Sequence, residues 1–207
     1  QIFRHSFTAT YFVYDIASKK LSKFTEKAIQ EPTFSPDGNK VAYAFENNLY
    51  VFDFGSNKET QITTDGKKNA VINGITDWVY EEEFAFVRAF DWNANSTKIG
   101  FIRFDETNVP EFSMDLYNPG LYPTQSVFKY PKAGEKNADV SLHIYDVNAS
   151  KTQKIDLSNY TDFYIARLKW TNDSNVLSAQ VLKRSHDSLD LLTADGNSGA
   201  KKGVLTE

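Results

Sequence analysis

WNANSTKIGFIRF, Trp92 to Phe104, sets an aromatic residue, a polar turn and a strand-like run in that order, and the order recurs twice in the chain. FSPDGNKVAYAF begins at Phe34 and WTNDSNVLSAQVL at Trp170. Asp, Asn, Gly and Ser fill the turns because they tolerate tight backbone geometry, and the runs that follow are rich in β-branched and aromatic residues. A second run ending at an aspartate comes next in two of the three, LYVFDF from Leu49 and LHIYDV from Leu142. YFVYDI, Tyr11 to Ile16, is the same unit without its first half. Each passes into a polar turn and another short strand, as in FGSNKETQIT and VNASKTQKIDL. Four antiparallel strands repeated along a chain mark the blades of a propeller. The 58 residues from Phe34 to Trp92 are somewhat more than the roughly 40 to 50 of a typical blade. The expected fold is all-β, a partial β-propeller of about three four-stranded antiparallel blades.

From Trp92 to Trp170 the spacing grows to 78 residues, and the excess lies between Phe104 and Ser141. Four of the six prolines, Pro110, Pro119, Pro123 and Pro131, fall there. The segment, about residues 105–138, is expected to be an extended arm or hairpin rather than a compact unit; a surface loop is the alternative. A closed propeller needs more than three blades, so the remaining blades are expected from another segment of a longer protein.

Composition narrows the function. With 207 residues, 41% hydrophobic and 14% aromatic, the chain can bury a sizeable core. Its 23 basic and 27 acidic side chains leave a net charge of −4, and no Lys/Arg cluster interleaved with aromatics is present to hold phosphates. Nucleic acid is therefore not an expected partner. There is no cysteine, hence no disulfide framework and no thiolate metal site. No apolar run reaches the roughly twenty residues of a membrane span, and QIFRHSFTAT has no apolar core of a signal peptide.

One stretch breaks the strand rhythm. In ITDWVYEEEF, Thr76 and Asp77 are good helix N-caps, and glutamates in the following turn suit the helix dipole. A short helix between blades is expected. An acidic run is ordinarily a solvated face. Here Trp78, Val79, Tyr80, Phe84 and Phe86 are too apolar for an exposed segment, so the helix is expected against the propeller body with carboxylates toward a cavity. Glu81, Glu82 and Glu83 held close together call for a cation or a proton. A hard metal ion would need about six oxygen ligands in a spaced loop, and no D-x-D-x-D-G pattern is present. An organic ammonium fits better, since each charge-assisted hydrogen bond contributes about 1.5 to 3 kcal/mol. No metal or cofactor is expected.

ITDWVYEEEF, RHSFTATYFVYD from Arg4 and YPKAG from Tyr130 closely resemble the propeller domain of the dipeptidyl peptidase IV branch of the prolyl oligopeptidase family of serine peptidases. The resemblance runs in order along nearly the whole chain. It implies that residues 1–207 are a fragment of an N-terminal propeller that caps an α/β-hydrolase domain, with the short helix reaching into the central cavity. It implies that Glu82 and Glu83 hold the substrate's N-terminal amine, with Glu81 at most in support. It also places Arg4 at the carbonyl of the residue before the substrate's proline. The implied activity is release of X-Pro or X-Ala dipeptides from free N-termini. Two carboxylates on the amine then act as a ruler, fixing the cut two residues away. The arm is implied to pack against a second subunit, making the parent a homodimer. The absence of cysteine departs from animal members and points to a bacterial relative, periplasmic, secreted or at the cell surface. Four N-x-S/T sequons, at Asn95, Asn148, Asn159 and Asn172, then carry no argument.

The nucleophile of an α/β-hydrolase stands in G-x-S-x-G, and these 207 residues contain none; GNSGA, Gly196 to Ala200, lacks the second glycine in place. His5, His143 and His186 are scattered and read as structural. No catalytic residue is expected in this chain, which by itself should not hydrolyse peptides. Two other readings stand beside the exopeptidase: the propeller of a related post-proline endopeptidase, and a non-catalytic scaffold or binding module.

Overall fold

The computed structural model describes residues 2–207. A two-stranded hairpin opens the chain, β1 (Phe12–Asp15) with β2 (Lys20–Lys23). The first full sheet is an antiparallel meander of β3 (Gln30–Phe34), β4 (Lys40–Phe45), β5 (Asn48–Asp53) and β6 (Lys58–Gln61). The second contains β7 (Val71–Asn73), then, beyond the helix α1 (Trp78–Glu83), β8 (Phe90–Trp92) and β9 (Lys98–Asp105). After the arm hairpin of β10 (Glu111–Leu116) and β11 (Thr124–Lys129), it is completed by β12 (Asp139–Asp146) and β13 (Lys151–Lys154). A third meander follows: β14 (Phe163–Trp170), β15 (Val176–Lys183), β16 (Leu189–Asp195) and β17 (Lys201–Thr206). The architecture is all-β and blade-like, a partial β-propeller.

The aromatic–turn–strand repeat has one physical meaning in all three sheets. Phe34 pairs with Val41, Trp92 with Ile99 and Trp170 with Leu177, each partner seven residues on. The polar residue after the aromatic closes the turn: Ser35, Asn93 and Thr171 donate their amides to the carbonyls of Lys40, Lys98 and Val176 at 2.9, 3.0 and 3.0 Å. The strand-ending aspartates also share a role. Asp15, Asp53, Asp146 and Asp195 each accept, at 2.6 to 2.8 Å, the amide three residues ahead. Each thereby makes the turn that sends the chain into the next strand. Neighbouring blades are tied through the tryptophans. Trp92 Nε1 donates to the carbonyl of Thr33 at 3.2 Å and Trp170 Nε1 to that of Asp91 at 3.0 Å, the residue before the aromatic of the preceding blade in both cases.

The second sheet departs from the expected plan in one respect. β7 and β8 lie along the same edge of β9, with Ile72 opposite Phe104 and Asp91 opposite Gly100. They are two halves of one strand, and the excursion carrying α1 springs from the break, its neck closed by a bridge between Ile75 and Arg88. The helix thus rises within a blade rather than between blades. Pairing to a common partner fixes both ends of the excursion, a firmer mount than an interblade linker would be. At the Asp105 end of β9, which also pairs with β7, β9 and β12 pair from Asp105 and Asp139 onward, and the intervening segment leaves the sheet as the arm. The main core forms where β9, β12, β14 and β15 face one another, with Ile102, Phe104, Leu142, Ile165 and Leu177 fully enclosed.

Candidate functional site

Six residues make a helix too short to persist by itself, so α1 is held by its ends and by packing. Asp77 is its N-cap, its carboxylate accepting the Tyr80 amide at 3.0 Å. Burial pushes the Asp77 carboxyl up to about 6, against the pull of that amide. Val79 and Tyr80 face inward. Tyr80 packs edge-on to Phe104, with centroids 4.8 Å apart, and its hydroxyl accepts the Ile165 amide at 2.8 Å where β14 bulges. The enclosed phenol is raised well above its ordinary value by desolvation. One tyrosine therefore fastens the helix to the next blade.

Successive helical residues point roughly 100° apart, so the three glutamates cannot share one environment. Glu81 is 1% exposed. Its Oε1 accepts the amide of Ser6 at 3.0 Å and also the amide of His5. Glu82 turns toward Arg4, Oε2 to Nη2 being 3.2 Å, with the glutamate side chain 17% exposed. Glu83 is exposed and enters no ion pair among the described residues. Repulsion within the acidic run is thus relieved by separation, two backbone amides and one guanidinium. Glu83 is left open to a cation from outside.

Arg4 sits in a tight N-terminal loop. The Ile2 amide donates to the Ser6 carbonyl at 2.7 Å and the Phe3 amide to Ser6 Oγ at 3.1 Å. Paired bridges between Ala9 and Ile29 tie the end of the segment to the blades. Phe3 meets Phe128 of the arm edge-on at 5.8 Å. The arm also walls the glutamates: Tyr130 lies against Trp78 at 4.3 Å, and Glu83 lines a groove of about 720 Å³ with Trp78, Phe112, Phe128 and Tyr130. On the other side of Trp78 a cavity of about 870 Å³ contains Arg4, Ser6 and Glu106. Burial pushes the Glu106 carboxyl up to about 7, with the Asp77 charge adding to the rise and Lys129 opposing it.

Arg4 and Glu82 are together, and Glu83 is on the next helical position, open to the groove. The grip of Glu81 on the loop and the aromatic wall of the arm were not legible. Backbone amides carry no residue signature, and Phe112, Phe128 and Tyr130 give only the alternation of any strand. The histidines lie away from any catalytic grouping: His143 stacks on Phe101 at 5.1 Å, and burial lowers it to about 4. His186 meets Tyr164 edge-on. Among the described residues no group of three His, Cys, Asp or Glu is placed to hold a metal ion, and no helix is long and apolar enough to cross a membrane.

Known proteins share this fold. A crystal structure of Porphyromonas gingivalis dipeptidyl peptidase 4 superposes on all of the chain with a TM-score of 0.96 and 39% identity, the match taking up 30% of that protein. Human prolyl endopeptidase FAP is 34% identical over 193 residues, 89% of this chain and 25% of its own length. Pig dipeptidyl peptidase 4 is 34% identical over 214 aligned residues, 95% of this chain and 28% of its own. The chain spans about a quarter of the length of these relatives. Residues 1–207 match the family described as the dipeptidyl peptidase IV (DPP IV) N-terminal region, and the chain belongs to that family.

Proposed function

We propose that this chain is the substrate-recognition part of a dipeptidyl peptidase IV-like serine exopeptidase that releases X-Pro or X-Ala dipeptides from free N-termini. The observation that carries the reading is the Arg4–Glu82 pair at 3.2 Å with an exposed Glu83 on the next helical position. Glu82 and Glu83 supply two negative charges and Arg4 offsets one of them, so a substrate ammonium offsets the other. An acetylated N-terminus brings no charge and would leave a carboxylate desolvated and unpaired, which is the basis for rejecting blocked peptides. Arg4, already beside the carboxylates, is assigned to a carbonyl of the same bound dipeptide. The nucleophile and base would come from a C-terminal α/β-hydrolase domain of a longer protein. We place that protein in a bacterial periplasm, at a cell surface or outside the cell, and assign the arm to a homodimer contact.

The human relative named prolyl endopeptidase supports a second reading, a post-proline endopeptidase on the same scaffold; a non-catalytic scaffold is the third. One experiment separates them. The full-length protein is assayed with Gly-Pro-anilide and with its N-acetylated form, beside Glu82→Ala and Glu83→Ala. Turnover of the free amine alone is expected, each variant losing about 2 to 5 kcal/mol of transition-state stabilisation, as when one partner of a desolvated charge pair is removed. Equal turnover of both substrates would select the endopeptidase, and no turnover of either the scaffold. Wild-type rates in the variants would remove the glutamates from the role.

A further inference from the structure

We infer that Glu81 is a positioning residue, acting through Arg4: it grips the backbone that carries the arginine and so presents the guanidinium to Glu82 and to the bound peptide. The inference rests on the exopeptidase reading above. Two consecutive glutamates meet a run of consecutive loop residues. Glu82 takes the Arg4 side chain at 3.2 Å, while Glu81 takes the main chain of His5 and of Ser6. The helix and the loop are thereby held in register residue by residue across 75 and 76 positions of sequence.

Three features distinguish this from ordinary packing. Glu81 is 1% exposed, and a carboxylate so enclosed costs several kcal/mol to desolvate, a cost that an apolar side chain would avoid. Among the described residues its Oε2 has no hydrogen-bond partner, so packing alone does not account for a carboxylate here. Arg4, in contrast, is 68% exposed at its side chain and would lose rotamer freedom on meeting a ligand. Fixing its backbone beforehand removes the main-chain share of the ordering cost, leaving only the side chain to be ordered. Phe3 against Phe128 fixes the residue before Arg4, and Glu81 fixes the two after it. The arginine side chain therefore extends from a clamped main chain.

The test is a double-mutant cycle in the full-length protein, using Gly-Pro-anilide and wild type, Glu81→Gln, Arg4→Ala and the double variant. Glu81→Gln keeps the shape of the side chain and removes its charge. It is expected to lower kcat/KM about tenfold, and to add less than twofold when Arg4 is already alanine, because the glutamate acts only through the arginine. Wild-type kinetics in Glu81→Gln, or losses that multiply in the double variant, would overturn the proposal. Should Glu81→Gln fail to fold, His5→Pro takes its place in the cycle by deleting one donor from the loop side. Hydrogen exchange supplies a readout independent of turnover. The His5 and Ser6 amides are expected to exchange slowly in wild type and at least tenfold faster in Glu81→Gln; fast exchange in wild type would also overturn the clamp. The acetylated substrate keeps the two failures apart: if wild type cleaves it as readily as the free amine, the exopeptidase reading falls, whatever the cycle and the exchange rates say about Glu81.

Discussion

Glu106 is a carboxylate whose burial works against its charge. It is 6% exposed, it lines the cavity beside Arg4, and its pKa is pushed from 4.5 up to about 7. A raised carboxyl binds its proton more tightly in the folded than in the unfolded chain. Between the two values the folded state therefore holds more protons, and stability falls as pH rises from 4.5 to 7. The whole span corresponds to about 3 kcal/mol at 1.36 kcal/mol per unit. Glu106→Gln removes this titration. Relative to wild type, the variant is expected to gain about 3 kcal/mol in denaturant unfolding between pH 4.5 and pH 8, with the gain already complete near neutrality. A pH-independent difference between the two proteins would show that Glu106 is not held protonated by its surroundings. Asp77, raised to about 6 by the same cause, contributes a slope of the same sign; because its charge also raises Glu106, the difference between the two proteins reads the pair as a coupled titration.

At the scale of elements, α1 depends on one hydrogen bond more than on its own length. Ile165 is fully enclosed, and its amide, at the bulge in β14, has the Tyr80 hydroxyl as its acceptor. Tyr80→Phe keeps the aromatic contacts with Phe84 and Phe104 but leaves that amide buried without a partner, an expected cost of about 1 to 3 kcal/mol. A melting temperature unchanged by Tyr80→Phe would mean that the bulge satisfies its amide in another way. Sequence patterning reaches only part of this. The helix and its Asp77 cap are legible because capping is local and each residue type states its role. The split of one strand into β7 and β8 is not, because three-residue strands are too short to show alternation and their common partner β9 lies further along the chain. Arg4 beside Glu82 was expected only from family resemblance, since no local rule joins positions 78 residues apart.

For the whole molecule, the repeat is legible because the same turn chemistry closes each blade, from Ser35, Asn93 and Thr171. What the pattern does not express is how the outer blades end. β17 pairs with β16 alone, and Val204 and Leu205, at the register shift in this pairing, are 56% and 53% exposed. A strand that exposes apolar side chains and leaves one edge unpaired is a template for pairing with another chain. β1 and β2, a two-stranded ribbon at the other end of the array, expose Phe12, Tyr14 and Leu21 as well. Lys201 and Lys202 blunt only the first part of the β17 edge. The 207-residue chain prepared in isolation is accordingly expected to self-associate at roughly micromolar to millimolar concentrations, the range in which unpaired edges meet. Sedimentation velocity across a dilution series measures this directly. Val204→Lys with Leu205→Lys places two charges on the exposed part of β17 and should return the chain to monomer if β17 is the adhesive edge. Association that persists in this double variant would assign it to the β1–β2 ribbon, and a wild-type monomer at every concentration would mean that the two ends are already protected by their own twist and charge.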